Sequence, residues 1–160
     1  AAGGGELSVW WGEQGPAWIA RALRVKVEVV EADPFEQGRR AVLNLGHTTG
    51  HALEKLSGYS LRHGEAVAIG IVAAARIATR LGRAERSLVE RVEAALAAWE
   101  LPVRCPAHSA EAIWAAMAQD KKRQGRTLHW ALPLDVGRVE ICGDVPSEAV
   151  CAALRDMGAR

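Results

Sequence analysis

The order of apolar and polar positions predicts a chain made mostly of helices. Apolar side chains recur at helical spacing between Pro16 and Val30, where proline suits a first turn. These positions are Trp18, Ile19, Leu23, Val27 and Val30. The valines at 25, 27, 29 and 30 also fit a strand, so the pattern leaves both conformations open for this segment.

Five further helices are predicted downstream from apolar periodicity and end signals. They cover residues 39 or 44 to 56, 64–81, 84–100, 109–117 and 147–157. Ser109 is the expected cap of the fourth, because a serine hydroxyl can accept from an unpaired N–H of the first turn. The second is rich in alanine, which allows neighbouring helices to approach closely.

Two short alternating segments, 127–132 and 139–142, predict strands joined by a turn at Asp135 to Gly137. Further turns are expected at Asp33 to Gly38 and at Asp120 to Arg126, where glycine and charge accumulate. The predicted fold class is mostly α: a helical bundle with a small antiparallel β-hairpin. Residues 1–16 are predicted to be a glycine-rich lead-in, and residues 17–160 one helical domain.

Composition narrows the possible functions. The 160 residues include 20 Lys and Arg and 19 Asp and Glu. The net charge is therefore close to zero and favours neither nucleic acid nor an anionic membrane as a partner. No segment has the uncharged length of a membrane span. Three cysteines without CxxC spacing indicate neither a disulfide framework nor a zinc–cysteine site, and favour a reduced, cytoplasmic location.

Three of the five histidines fall within seventeen positions of an otherwise apolar region. His47 and His51 are one helical turn apart, and His63 follows beside Gly64. We predict that His47 and His63 hold a divalent metal and that His51 hydrogen-bonds or moves a proton beside it. The alternatives are core histidines bound to backbone carbonyls and, for His51, either a supporting contact to a metal ligand or a role as third ligand.

Two polar residues upstream of the histidines have helical spacing with them. The intervals along Arg40, Asn44, His47 and His51 are four, three and four residues, so one helix would place all of them on one face. With Lys26, the arginine favours an anionic substrate bound through carboxylate or phosphate. A solvated face is the alternative. The cationic segment 120–123 is predicted to be either an anion clamp or an ordinary exposed loop.

Two motifs together resemble one enzyme family. They are Glu36-x-Gly38-x-Arg40-x-x-Leu43-Asn44-x-Gly46-His47-Thr48-x-Gly50-His51-Ala52-x-Glu54 and His63-Gly64-Glu65-Ala66-Val67-Ala68-x-Gly70. With Asp120-Lys121-Lys122 and Leu132-Pro133, they resemble 3-dehydroquinate synthase over nearly the whole chain from Lys26 onward.

The resemblance implies a homodimeric, cytoplasmic lyase of the shikimate pathway of aromatic amino-acid biosynthesis. Such enzymes use NAD and a divalent metal, zinc or cobalt. They convert the sugar acid phosphate 3-deoxy-D-arabino-heptulosonate 7-phosphate (DAHP) to 3-dehydroquinate and phosphate, through transient oxidation, phosphate elimination, re-reduction, ring opening and aldol closure.

The resemblance also implies roles for individual residues. His47 and His63 match the two histidine metal ligands, and His51 and Glu36 match catalytic positions in contact with substrate. The remaining substrate-binding positions are Lys26, Arg40, Asn44, Lys122 and Lys121, with Lys122 favoured over Lys121.

The chain departs from the family in lacking its amino-terminal nucleotide-binding half. That half carries the NAD-binding glycines and a glutamate that is the third metal ligand, so this chain resembles a carboxy-terminal fragment. Alone, we expect it to bind no NAD, to bind metal weakly and to be inactive.

Three alternatives remain open. Cyclitol-forming sugar phosphate cyclases, which make 2-deoxy-scyllo-inosose or valiolones, share much of the histidine pattern but use substrates without a carboxylate. Iron-dependent alcohol dehydrogenases have a similar helical domain without the Glu36–Asn44 motif. A non-catalytic helical module with structural histidines is the third.

Overall fold

The computed structural model describes residues 4–35, 38–123, 129–143 and 145–160, with the side chains of 4–11 and 120–123 left undescribed. The chain divides into two compact units, Ala1–Leu43 and Asn44–Arg160. Among the described residues, no helix combines the length and apolar character needed to cross a membrane. Glu36 lies outside the described residues, and so do the side chains of Lys121 and Lys122.

The first unit is dominated by one long helix, α1 (Gly4–Ala32). The strand interpretation of its valines is therefore wrong. Residues 4–16, predicted to be a glycine-rich lead-in, belong to this helix, and Pro16 lies inside it rather than in its first turn. Helix propagation adds one hydrogen bond per residue, whereas each β-branched residue costs only roughly a few tenths of a kcal/mol relative to alanine. A 3₁₀ helix, Arg39–Asn44, follows the turn after α1.

The turn after α1 is organised by one carboxylate. Asp33 accepts hydrogen bonds at Oδ2 from the backbone N–H groups of Gly38 and Arg40, both at 2.9 Å. The Arg40 guanidinium donates to the carbonyl of Pro34 at 3.2 Å. Asp33 thereby satisfies backbone donors of the turn that the 3₁₀ helix would otherwise leave unpaired.

The second unit contains five helices and one hairpin within its described residues. The helices are α2 (His47–Leu56), α3 (His63–Arg80), α4 (Arg86–Ala98), α5 (Ala110–Arg123) and α6 (Ser147–Asp156). Strands β1 (Trp130–Asp135) and β2 (Arg138–Cys142) pair antiparallel, with Trp130 opposite Cys142. The predicted mostly helical fold with a small hairpin is confirmed.

The core of the second unit surrounds α3, which packs against α2, α4, α6 and β1. Its largest fully buried side chains lie on α2, α3, α5, β1 and α6, and at the residue that follows α6. They are Trp130, Leu53, Ile69, Ile77, Ile113, Met117, Leu132, Leu154, Met157, Val72, Val150 and Thr49. Burial of this apolar surface holds α2 and α3 in a fixed relation.

A close approach of backbones brings the start of α2 against the middle of α3. Gly46 has a φ of 82°, and a Cβ there would lie 2.7 Å from the Val67 carbonyl oxygen. A Cβ on Gly70 would overlap the carbonyl of Gly46. Only glycine fits at both positions, one for its left-handed backbone and both for the space.

The structure corrects two predicted boundaries and confirms one cap. The helix expected to begin at Arg39 or Asn44 begins at His47, because Gly46 interrupts it, so Arg40, Asn44, His47 and His51 do not share one helix. The segment 120–123, predicted to be a turn, is the last turn of α5. Ser109 caps α5 as predicted, with its Oγ accepting from Ala112 N–H at 3.1 Å.

Candidate metal centre

Three imidazole rings meet where α2 and α3 begin. His47 is the first residue of α2, His51 lies one turn further, and His63 is the first residue of α3. The ring of His47 lies 5.4 Å from that of His51 and 5.3 Å from that of His63, centroid to centroid. The rings of His51 and His63 are 5.9 Å apart. The sequence prediction that these histidines converge is confirmed.

His47 is held in one tautomer by the backbone. Its Nδ1 lies 3.3 Å from the carbonyl oxygen of Leu45, which can only accept, so Nδ1 carries the proton. Burial lowers the pKa of His47 below its usual value, and the nearby His51 and His63 add to this effect, although the Leu45 hydrogen bond and Glu54 oppose it. The neutral ring therefore offers the lone pair of Nε2 to a ligand.

His63 is held in the same way by a side chain. Its Nδ1 lies 3.2 Å from both Oε1 and Oε2 of Glu54. The Glu54 side chain is only 15% exposed, whereas that of His63 is 58% exposed. A carboxylate accepts the proton on Nδ1, so Nε2 of His63 is the nitrogen left for ligation.

This arrangement fits a divalent metal. Imidazole nitrogen and carboxylate oxygen are ligands that zinc and cobalt accept, and ligating histidines usually donate their other N–H to a carbonyl or carboxylate. His47 and His63 both meet that condition. A second donor set overlaps it: one ligand atom from each of His51, Glu54 and His63 lies within 4.8 Å of the others.

The remaining predicted site residues are divided between the two units. Asn44 is exposed at the end of the 3₁₀ helix, in the same unit as the histidines. Lys26 on α1 and Arg40 belong to the other unit. Lys121 and Lys122 lie on the last turn of α5, with their side chains outside the described part, and Glu36 is outside it altogether.

Glu54 is the site residue that sequence reasoning left without a role. It belongs to the quoted motif and lies seven residues after His47, on the same face of α2. Its pairing with His63 needs the chain to reverse through residues 57–62, which periodicity alone does not specify. An acidic residue at helical spacing from two histidines was the available signal.

Comparison with known proteins supports one family. The sequence profile described as 3-dehydroquinate synthase C-terminal matches residues 8–123. The 3-dehydroquinate synthase of a Synechococcus strain is 45% identical over 139 residues, which are 86% of this chain and 38% of the relative. That of Crocosphaera subtropica is 42% identical over 87% of this chain and 39% of its own length.

Two solved structures share the fold. The 2-epi-5-epi-valiolone synthase ValA of Streptomyces hygroscopicus, solved with NAD⁺ and Zn²⁺, has a TM-score of 0.77 and 23% identity, over 96% of this chain and 46% of its own. A 2-deoxy-scyllo-inosose synthase, complexed with carbaglucose-6-phosphate, NAD⁺ and Co²⁺, has a TM-score of 0.75 and 21% identity, over 91% and 41%.

The extent of these matches and their sequence identity determine the family of this chain. The family profile covers well over half of this chain, and both curated relatives exceed 40% identity across most of it. The chain spans about two fifths of the length of those relatives. It belongs to the 3-dehydroquinate synthase C-terminal family.

Proposed function

We propose that this chain is the metal- and substrate-binding part of a 3-dehydroquinate synthase. The whole enzyme would convert DAHP to 3-dehydroquinate and phosphate in the shikimate pathway, as a cytoplasmic homodimer. The observation that carries the proposal is the matched pair His47 and His63, whose rings lie 5.3 Å apart with both Nδ1 atoms engaged by acceptors.

In this proposal His47 and His63 hold a zinc or cobalt ion through their Nε2 atoms. A divalent ion there supplies Lewis acidity that makes a substrate hydroxyl easier to deprotonate. A catalytic site of this kind takes three protein ligands and leaves a position for substrate. The third ligand would be a glutamate from the part of the enzyme that this chain does not span.

His51 is the proposed proton-transfer group. Within the described residues its ring makes no hydrogen bond, whereas Nδ1 of His47 and Nδ1 of His63 each have an acceptor. It is exposed one turn along α2, beside the proposed ligands. A free imidazole nitrogen at that place could accept or return a substrate proton. Glu36 is proposed as the accompanying acidic group.

The substrate is proposed to be anionic at two ends, so several cations would bind it. Lys26, Arg40, Asn44 and one of Lys121 or Lys122, preferably Lys122, are the proposed contacts. Charged hydrogen bonds from lysine and arginine to carboxylate and phosphate are about twice as strong as neutral ones. These residues would orient the hydroxyl that the metal site activates.

NAD does not fit the described residues of this chain. Their sheet is a single antiparallel pair, β1 and β2, whereas dinucleotide sites of the doubly wound type use parallel strands followed by helices. We therefore propose that NAD is bound mainly by the part of the enzyme outside this chain.

The competing activity is a cyclitol-forming synthase. Both structural neighbours are of that kind, but they are 21–23% identical to this chain, whereas the dehydroquinate synthases reach 42–45%. The higher identity and the cationic residues that suit a carboxylate favour DAHP as substrate.

A chimera tests the proposed function. The amino-terminal part of the Synechococcus enzyme, which this chain does not span, is joined to this chain, loaded with zinc and NAD, and assayed for phosphate release from DAHP. We expect turnover that His47→Ala removes and that His129→Ala, a change outside the cluster, retains. A chimera that binds zinc and NAD but acts only on sugar phosphates without a carboxylate would contradict the assignment.

A further inference from the structure

We propose that Glu54 is a positioning residue, which selects the tautomer and ring orientation of His63 and so sets the metal affinity of the site. This inference rests on the proposed metal site and assigns Glu54 a role within it. The role is to hold the Nδ1 proton of His63, so that Nε2 and not Nδ1 faces the metal.

The geometry of the pair supports this role. Both carboxylate oxygens lie 3.2 Å from Nδ1 of His63, so the acceptor faces that nitrogen symmetrically. His63 is the first residue of α3 and its side chain is 58% exposed. An exposed imidazole is free to rotate about its side-chain bonds unless a partner fixes it.

Glu54 is itself well anchored. Its side chain is 15% exposed, and its backbone carbonyl accepts from Tyr59 N–H at 2.8 Å and from Ser57 Oγ at 2.9 Å. On the other side of the loop, the Glu65 carboxylate accepts from Arg62 N–H at 3.0 Å and fixes the first turn of α3. The backbone that carries the carboxylate and the backbone that carries the ring are thus each fixed at a helix end.

His47 and His63 differ in how their tautomer is fixed. For His47 the acceptor is a backbone carbonyl, which no side-chain substitution removes. For His63 it is a side chain, so the same interaction can be deleted or altered by mutation. Partners of this kind typically contribute roughly 10–100-fold to metal affinity.

Glu54 could instead be a direct ligand, since it shares the 4.8 Å group with His51 and His63. A glutamine separates the two roles. Its amide oxygen can still accept the Nδ1 proton, but a neutral amide is a poor ligand for zinc in place of a carboxylate. Alanine removes both functions.

Zinc affinity of the 160-residue chain is therefore measured by competition with a chelating dye. The variants compared are Glu54→Gln, Glu54→Ala and a charge control, Glu90→Ala, at an exposed position of α4. We expect Glu54→Ala to lose roughly 10–100-fold, Glu54→Gln to recover most of that loss, and Glu90→Ala to match the unaltered chain. Equal losses in the glutamine and alanine variants would overturn the positioning role in favour of direct ligation.

The tautomer provides a readout that a change in folding alone would not produce. In the metal-free chain, ¹⁵N NMR of His63 should report the proton on Nδ1, and Glu54→Ala should move the ring towards the Nε2–H form while His47 is unchanged. An unchanged His63 tautomer in Glu54→Ala overturns the inference.

His47→Ala distinguishes failure of this inference from failure of the proposed site. If His47→Ala abolishes zinc binding but Glu54→Ala does not weaken it, only the role of Glu54 is wrong. If His47→Ala leaves zinc affinity unchanged, the proposed metal site itself fails, and the positioning role with it.

Discussion

The unit that begins at Asn44 and the unit that ends at Leu43 differ in how much apolar surface they bury. In the former, Leu53, Ile77 and Leu154 are completely buried. In the latter, α1 leaves Leu23 55% and Val25 58% exposed. Packing within the second unit therefore holds His47, His51 and His63 in place, whereas Lys26 lies on a helix with an exposed apolar face.

A matched pair of leucine substitutions should show the largest contrast between the units. Leu154→Ala, in the packed core, should lower the free energy of unfolding by about 2–5 kcal/mol, because it removes buried methyl groups and leaves a cavity. Leu23→Ala, on exposed α1, should change it by less than about 0.5 kcal/mol. Urea unfolding followed by circular dichroism measures both free energies, and equal losses in the two variants would show that the two leucines are equally buried.

A matched pair of glycine substitutions should come next. Gly70→Ala places a Cβ against the Gly46 carbonyl, so α2 and α3 must separate, at a cost of about 1–3 kcal/mol or more. It should also move His47 relative to His63 and weaken zinc binding. Gly12→Ala on α1 meets open space and should stabilise by about 0.5–1 kcal/mol.

Thermal unfolding and zinc titration of the two glycine variants check this prediction. If Gly70→Ala unfolds like the unaltered chain and binds zinc as tightly, the close backbone approach does not position the histidines.

Two variants that each remove one ion pair should change the free energy of unfolding least. They compare a less exposed with a more exposed pair within the second unit. Arg76 and Glu93 pair at 2.6 Å with side chains only 22% and 28% exposed, so Glu93→Gln should cost about 1 kcal/mol. The pair Arg91 and Asp135 is 59% and 64% exposed, so Asp135→Asn should cost close to nothing. The opposite order in urea unfolding would show that burial does not decide these interactions.

Sequence reasoning recovered the features that depend on local pattern. Helical spacing predicted α3 and α6 closely, alternation predicted the hairpin, and the cap of α5 followed from Ser109 alone. The convergence of His47 and His63 followed from residue type and clustering, because imidazoles in apolar surroundings need partners.

Features that depend on tertiary contact were missed. The break before α2 arises because Gly46 adopts a φ of 82° where it meets α3, a contact between residues more than twenty positions apart. The role of Glu54 depends on chain reversal between α2 and α3. The length of α1 was missed because Pro16 was expected in a first turn, whereas α1 begins at Gly4 and contains Pro16.

X-ray absorption of the zinc-loaded 160-residue chain counts the imidazoles bound to the ion, so it reports on the proposed metal site itself. We predict two imidazole nitrogens at roughly 2.0–2.1 Å, a loss of this signal in His47→Ala and in His63→Ala, and no change in the control His108→Ala. Two imidazoles retained in His47→Ala, with loss in His51→Ala instead, would contradict it.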